Sequence, residues 1–301
     1  MPTADPHPFA DFMARHAPEE GHHHTALDGL ILFRRDSAFV VGNIIYTPSI
    51  CVVLQGRKVA KVGGESLFYD ADNYLVTSVP LPVVAEILGA GPEAPFLSLV
   101  FELDLATVRR VLYEGRGVFE AYPPPEVQRG LAVSAVTSGL RGATQRLLGL
   151  VDRPEDVPGL APLVIQEIID EVLKGPQGGF LRALAQGHGQ ERVLSDVLTS
   201  IHADPTQAFH IPSMAAEVGM SESVFYEAFK TVTSASPLQY IKRLRLMEAY
   251  RRLTSGWGNV SEAAYEVGYN SPSQFSREFK RLFGVPPSAL EAGVIPEVRV
   301  S

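Results

Sequence analysis

Two stretches in the last third of the sequence carry one pattern at a fixed offset, and this repeat limits the fold more than any other feature. The first copy runs Ala215-Ala216-Glu217-Val218-Gly219-Met220-Ser221 and then places Phe225, Phe229, Lys230 and Pro237. The second runs Ala264-Tyr265-Glu266-Val267-Gly268-Tyr269-Asn270-Ser271 and places Phe275, Phe279, Lys280 and Pro287. The alanines are 49 residues apart and the later landmarks 50, because Tyr269-Asn270 stands where the first copy has Met220 alone. Composition does not generate such a register by chance.

Each copy reads as helix–turn–helix. A short helix, 213–218 or 261–267, ends at a glycine that can take the left-handed backbone of a tight turn. Ser221 and Ser271 follow as N-caps, and Pro272 occupies a first helical position. Phe225 and Phe229, like Phe275 and Phe279, are four apart and share a face that packs inward. The outward face carries Glu222, Ser223, Tyr226, Glu227 and Lys230 in the first copy. In the second it carries Ser273, Gln274, Ser276, Arg277, Lys280 and Arg281. A second helix with a polar exposed face is the geometry that enters a major groove. Between the copies, Ser236-Pro237 caps a long helix to about Thr254 that bears Lys242, Arg243, Arg245, Arg251 and Arg252.

The run from Ser271 to Lys280 (SPSQFSREFK), with Ser236-Pro237-Leu238-Gln239-Tyr240 and Arg243-Leu244-Arg245-Leu246, resembles the signature of the AraC/XylS family of transcription regulators. The resemblance covers roughly the last hundred residues. It implies a regulator, often an activator, that binds double-stranded DNA through both units and works with RNA polymerase as a cytoplasmic homodimer. Arg277 is the expected guanine reader and Gln274 an adenine reader; Lys280, Arg281, Lys242 and Arg245 are expected to hold DNA as well. The first copy departs from the family at Glu227, where a basic residue is usual, and Glu222 adds negative charge. The second unit is therefore expected to dominate affinity.

The net charge of −8 argues against nucleic acid only if charge is spread evenly. It is not. Residues 192–235 hold two basic against five acidic side chains, whereas 236–288 hold eight basic against four acidic. Phosphate attraction is expected in the linker helix and the second unit. One cysteine rules out an internal disulfide, as suits a reducing cytoplasm. No apolar run approaches membrane-spanning length, so no membrane partner is expected, and the N-terminus is not read as a signal peptide.

Residues 27–103 read as short β-branched strands punctuated by glycine and proline, the pattern of a small barrel or jelly roll. Cys51-Val52-Val53-Leu54-Gln55-Gly56-Arg57-Lys58, Tyr69-Asp70, Tyr74 to Ser78 and Leu81-Pro82 look like the cupin-like N-terminal domain of one AraC subgroup. That likeness implies a ligand-sensing domain. The fold class is thus α+β: an N-terminal cupin-like β-barrel with helices, then an all-α double helix-turn-helix domain. The domains are drawn as a mobile arm at 1–26 with one short helix near 9–15, the regulatory domain at 27–187 and the DNA-binding domain at 188–301. Helices are expected at 105–112, 125–150 and 160–173, with 175–189 as a glycine-rich junction most flexible at Gly187-His188-Gly189-Gln190.

A metal-dependent barrel enzyme would need histidines converging inside the strands, yet residues 25–187 contain none. His22-His23-His24, flanked by Gly21, reads as a loop rather than a metal site. No cofactor is expected. Cys51, Tyr46, Tyr69 and Tyr74 are the candidate effector contacts. Two readings stand for Cys51: a buried core thiol, or a thiol that reacts with an aldehyde or oxidant. The apolar stripe Leu163, Ile165, Ile168, Ile169, Val172 and Leu173 either packs on the barrel or forms a dimer seam. The rival functional reading is a sensor or protein-interaction module that has lost DNA binding, and a third is a barrel enzyme fused to a regulator half.

Overall fold

The computed structural model describes residues 9–115, 118–119, 122, 129–186 and 190–291. Among the described residues, the N-terminal half holds ten antiparallel strands in two sheets. They are β1 (Gly21–His24), β2 (Leu30–Arg35), β3 (Phe39–Tyr46), β4 (Ser49–Gln55), β5 (Arg57–Val62), β6 (Glu65–Asp70), β7 (Asn73–Thr77), β8 (Leu81–Leu88), β9 (Phe96–Glu102) and β10 (Leu131–Ala135). One sheet has the order β1-β2-β9-β4-β7-β10 and the other β3-β8-β5-β6. The jelly-roll expectation takes the form of two facing sheets rather than one closed ring.

Alternation along each strand decides what faces what. In β4, Ile50, Val52 and Leu54 point to a layer of helices, while Cys51 and Val53 point into the space between the sheets. The six-stranded sheet is covered on both sides, so β4 is buried almost throughout. The covering helices are α1 (Ala10–His16), α2 (Leu105–Glu114), α3 (Ser138–Val151) and α4 (Val157–Lys174). The β5–β6 hairpin closes through Gly63-Gly64, both at positive φ, which is the backbone of a two-residue primed turn.

The helical half contains α5 (Gly178–Gln186), α6 (Gln190–Ala203), α7 (Ile211–Glu217), α8 (Glu222–Thr233), α9 (Pro237–Thr254), α10 (Val260–Glu266), α11 (Pro272–Phe283) and α12 (Pro287–Glu291). No helix is long and apolar enough to cross a membrane, among the described residues. The first helix-turn-helix unit shares a core with the sheets: Phe225, Phe229, Val232 and Tyr240 join one cluster with Leu81, Phe96 and Phe180. The second unit has its own core of Phe275, Phe279, Phe283, Leu246 and Val267.

Four expectations need correction. The histidine run is not a loop but strand β1, paired with β2 through His22↔Phe33 and His23↔Leu32. The short helix expected near residues 9–15 is present as α1, but its Phe12 and Met13 are in the core, so this part of the segment is packed and not a mobile arm. Residues 131–135, expected to be helical, pair with β7 because the sheet edge there offers unfilled hydrogen bonds. Within the expected junction, residues 178–186 form α5, which buries Phe180, Leu181 and Leu184. Gly178 serves close packing there, since an added Cβ would fall 1.8 Å from the Leu173 carbonyl oxygen. Residues 187–189 of the expected flexible point lie outside the described residues.

Candidate DNA-reading face and effector cavity

The two units are built by matched local signals. Gly219 and Gly268 take φ of 70° and 84° at the turns. The Ser221 hydroxyl accepts from the Val224 amide at 3.4 Å, and that of Ser271 from the Gln274 amide at 3.3 Å. Helix α9 opens with a full capping box between Ser236 and Gln239, with Pro237 at its start. Phe225, Phe229, Phe275 and Phe279 are completely buried. Each contributes about 1.5–3 kcal/mol by burial. The paired rings lie 5.7 and 5.4 Å apart. This packing fixes which helix faces turn outward.

On α11, Ser273, Arg277, Lys280 and Arg281 are exposed, and Gln274 and Ser276 are half-buried. On α8, Glu222, Ser223, Glu227 and Lys230 are exposed and Tyr226 is half-buried. Among the described residues, Arg277, Lys280, Arg281 and Lys230 make no ion pair.

The linker helix is different. Arg245, expected to touch DNA, donates instead to three backbone carbonyls: Nε to Pro205 at 2.8 Å, Nη2 to Gln207 at 2.7 Å and Nη1 to Gly268 at 3.0 Å. It is a brace that ties α9 to the turn of the second unit. Arg251 and Arg252 both pair with Glu248, at 2.7 and 2.6 Å, because the three sit one helical turn apart. The positive charge expected along α9 is thus largely spent within the protein.

Lys242 is also engaged, through a carboxylate that sequence reasoning missed. Glu278 of α11 accepts from Lys242 Nζ at 3.0 Å, from Gln274 Nε2 at 3.1 Å and from the Tyr269 hydroxyl at 2.8 Å. Burial works to raise the Glu278 carboxyl, but these three donors outweigh it and hold it below the ordinary glutamate range. The partners come from three elements, so no spacing in the chain announces them.

A cavity of about 500 Å³ lies between the two sheets. Cys51, Tyr46, Lys58, His22, Phe33 and Ser98 are among its walls. Two of the four expected contacts, Cys51 and Tyr46, therefore meet there, with Tyr69 buried in the same core. Tyr74 does not join them: it points to the opposite face of its sheet, in the cluster with α4. Leu75, one residue on, is the one that faces the cavity.

Burial pushes the Cys51 thiol up, and Lys58, Ser98 and Tyr69 nearby do not reverse this. Its surroundings favour the unreactive thiol over the thiolate. Burial likewise drives Tyr69 well above the usual phenol range. His22, stacked on Phe33 at 4.6 Å between centroids, is pushed down by burial and then by Lys58. Lys58 was missed as a cavity residue. Its signal was present, because β5 alternation puts Lys58 on the same face as Ala60 and Val62.

The cavity shares a wall with a second cleft of about 740 Å³ that opens towards the helical half. Phe39, Ile44 and Ile45 of β3 line both. Ile45 packs against the core of the sheets and against that of the second unit.

Residues 26–180 match the model of the AraC-type transcriptional regulator N-terminus, and residues 214–292 match a helix-turn-helix domain. A putative AraC-like transcription regulator of Streptomyces lividans is 34% identical over 109 residues, covering 36% of this chain and 34% of the relative. VirF, a virulence regulon transcriptional activator of Yersinia enterocolitica, is 29% identical over 160 residues, 52% of this chain and 58% of its own. The chain therefore spans between a third and somewhat over half the length of these relatives. The crystal structure of apo ToxT from Vibrio cholerae superposes over 92% of this chain and 100% of its own, with a TM-score of 0.54 and 11% identity, which shows a shared fold.

Proposed function

Because this chain belongs to the AraC-type transcriptional regulators, we propose that it is a sequence-specific DNA-binding regulator of transcription and not an enzyme. In this reading α8 and α11 enter successive major-groove segments about one helical turn apart, roughly 34 Å. The observation that carries it is the α11 surface: Arg277, Lys280 and Arg281 stand exposed and without ion pairs among the described residues, while Phe275, Phe279 and Phe283 are buried beneath them. Arg277 reads a guanine edge with its fork, and Lys280 and Arg281 hold phosphates. Gln274, Ser273 and Ser276 are secondary contacts. On α8, Ser223, Tyr226 and Lys230 contribute, against the repulsion of Glu222 and Glu227.

The residues from 27 to about 187 form the regulatory part, and the cavity between its sheets holds a small effector. Shared β3 residues carry its occupancy to the second unit. Leu160 and Leu163 stay exposed on α4 while Ile168, Ile169 and Val172 pack on the sheets, and this remnant of the apolar stripe supports a homodimer. A cytoplasmic location and contact with RNA polymerase follow from the same reading.

The test is a salt-titrated anisotropy assay on DNA from upstream of the protein's own coding region. Wild type is expected to prefer that DNA over unrelated sequence. Arg277→Ala is expected to lose about tenfold to a hundredfold in specific affinity. Glu227→Ala, which removes a like charge from the phosphates, is expected to bind more tightly. Equal binding to unrelated DNA, or a larger loss from Glu227→Ala than from Arg277→Ala, would overturn the proposal in favour of a sensor module that has lost DNA recognition.

A further inference from the structure

The space between the sheets holds a cation that no carboxylate among the described residues neutralises. Lys58 is only 7% exposed, and its Nζ lies 5.5, 5.5 and 5.8 Å from the ring centroids of Phe33, Tyr46 and Phe96. No carboxylate pairs with it among the described residues. The other cation at the cavity, Arg35, is matched by Glu20 at 3.1 Å. Aromatic faces attract an ammonium, and the Tyr46 hydroxyl is near enough to accept from it, but none of these groups supplies a negative charge. A buried charge in this state is costly unless something pairs with it.

Two further groups face the same problem. The Ser98 and Tyr46 hydroxyls line this cavity, beside the Cys51 thiol and the Lys58 ammonium respectively, and neither oxygen makes a hydrogen bond of good geometry among the described residues. Ser98 is 1% exposed, so bulk solvent does not serve it freely. An ammonium and two hydroxyl donors set together are complementary to the oxygens of an anion. The remaining walls are apolar, including Ile31, Ile44, Leu75 and Val100. The volume falls inside the range of small-molecule pockets, roughly 300–1,000 Å³.

We infer that this cavity binds a small molecule with an apolar body and a single carboxylate, the head group seated on Lys58 Nζ with Tyr46 and Ser98 donating to its oxygens. One unmatched positive charge selects a monoanion; a dianionic phosphate head would bring a second charge with nothing to meet it. The inference rests on reading this cavity as the effector site, and it is independent of whether α11 reads DNA.

The experiment uses the full chain without DNA, with octanoate, 1-octanol, octylammonium and octyl phosphate as probes, followed by thermal shift and titration calorimetry. Octanoate is expected to raise Tm and to bind saturably, more tightly than octanol or octyl phosphate, while octylammonium does nothing. Lys58→Met keeps length and removes the buried charge, so it is expected to fold and to weaken octanoate at least about tenfold. Lys58→Arg is expected to retain binding, and Ser98→Ala to weaken it severalfold whether or not the Lys58 variants fold. The inference is overturned if octanoate leaves Tm unchanged, if octanol or octyl phosphate binds as well, or if Lys58→Met or Ser98→Ala binds octanoate like wild type. Because no DNA is present, failure here does not touch the DNA-binding proposal, and failure of the anisotropy assay does not touch this one.

Discussion

The hydroxyl of Tyr240, on the helix that joins the two readers, donates to the carbonyl of Pro80 across 2.7 Å. The residues are 160 apart in sequence, and both lie in the core where the first reader meets the sheets. Beside them the Gly130 amide donates to the Val232 carbonyl at 3.0 Å. At Gly63 the β5–β6 turn approaches so closely that an added Cβ would lie 2.1 Å from Ser234 Cβ. The first helix-turn-helix unit is thus part of the regulatory body, while the second keeps a separate core.

Tyr240→Phe leaves the Pro80 carbonyl buried without its donor. The expected loss is about 1–3 kcal/mol in urea unfolding of the full chain. An unchanged midpoint would show that this bond does not hold the two parts together.

Alkaline pH should act on the same site. Burial raises the Tyr240 phenol above its ordinary value, so the folded state keeps the proton longer than the unfolded chain does. The contribution to stability is therefore complete below the usual tyrosine pKa near 10 and is lost as pH rises beyond it. Urea unfolding of wild type and Tyr240→Phe at pH 8 and pH 11 checks the sign: the gap between them should narrow at the higher pH.

Glu278→Ala releases Gln274, Lys242 and Tyr269 together. Stability is expected to fall by about 1–3 kcal/mol. Affinity for unrelated DNA should rise, with a salt slope steeper by roughly one, because Lys242 becomes available to a phosphate. A slope equal to that of wild type would show that Lys242 is not positioned to reach DNA.

Cys51 should be slow towards a thiol reagent such as DTNB at neutral pH, since burial favours the protonated thiol. Reaction is expected only on unfolding in denaturant. Rapid labelling of the native protein would revive the reactive-thiol reading that the burial of Cys51 speaks against.

The readers were legible because their signals are local. A glycine at a turn, a serine cap and phenylalanines four apart act within a helical turn or two, and Gly219, Ser221, Phe225 and Phe229 sit where those rules place them. The strands from β2 to β5 were legible for the same reason. The misreadings came where distant partners decide. Residues 131–135 become a strand because β7 is beside them, and 178–186 become a helix because Phe180 and Leu184 find a core to enter.

The charges show the division most clearly. By itself the sequence determined the repeat, the turn and cap positions, and the set of side chains on the outer faces of α8 and α11. Tertiary structure alone decided which cations remain available: Arg245 is drawn to carbonyls 23 to 40 residues away, Lys242 to a carboxylate 36 residues on, and Lys58 into the space between two sheets. Helix geometry acts over a few residues, so a chain can announce it. Electrostatic pairing and burial act through space, and only the folded molecule brings the partners together.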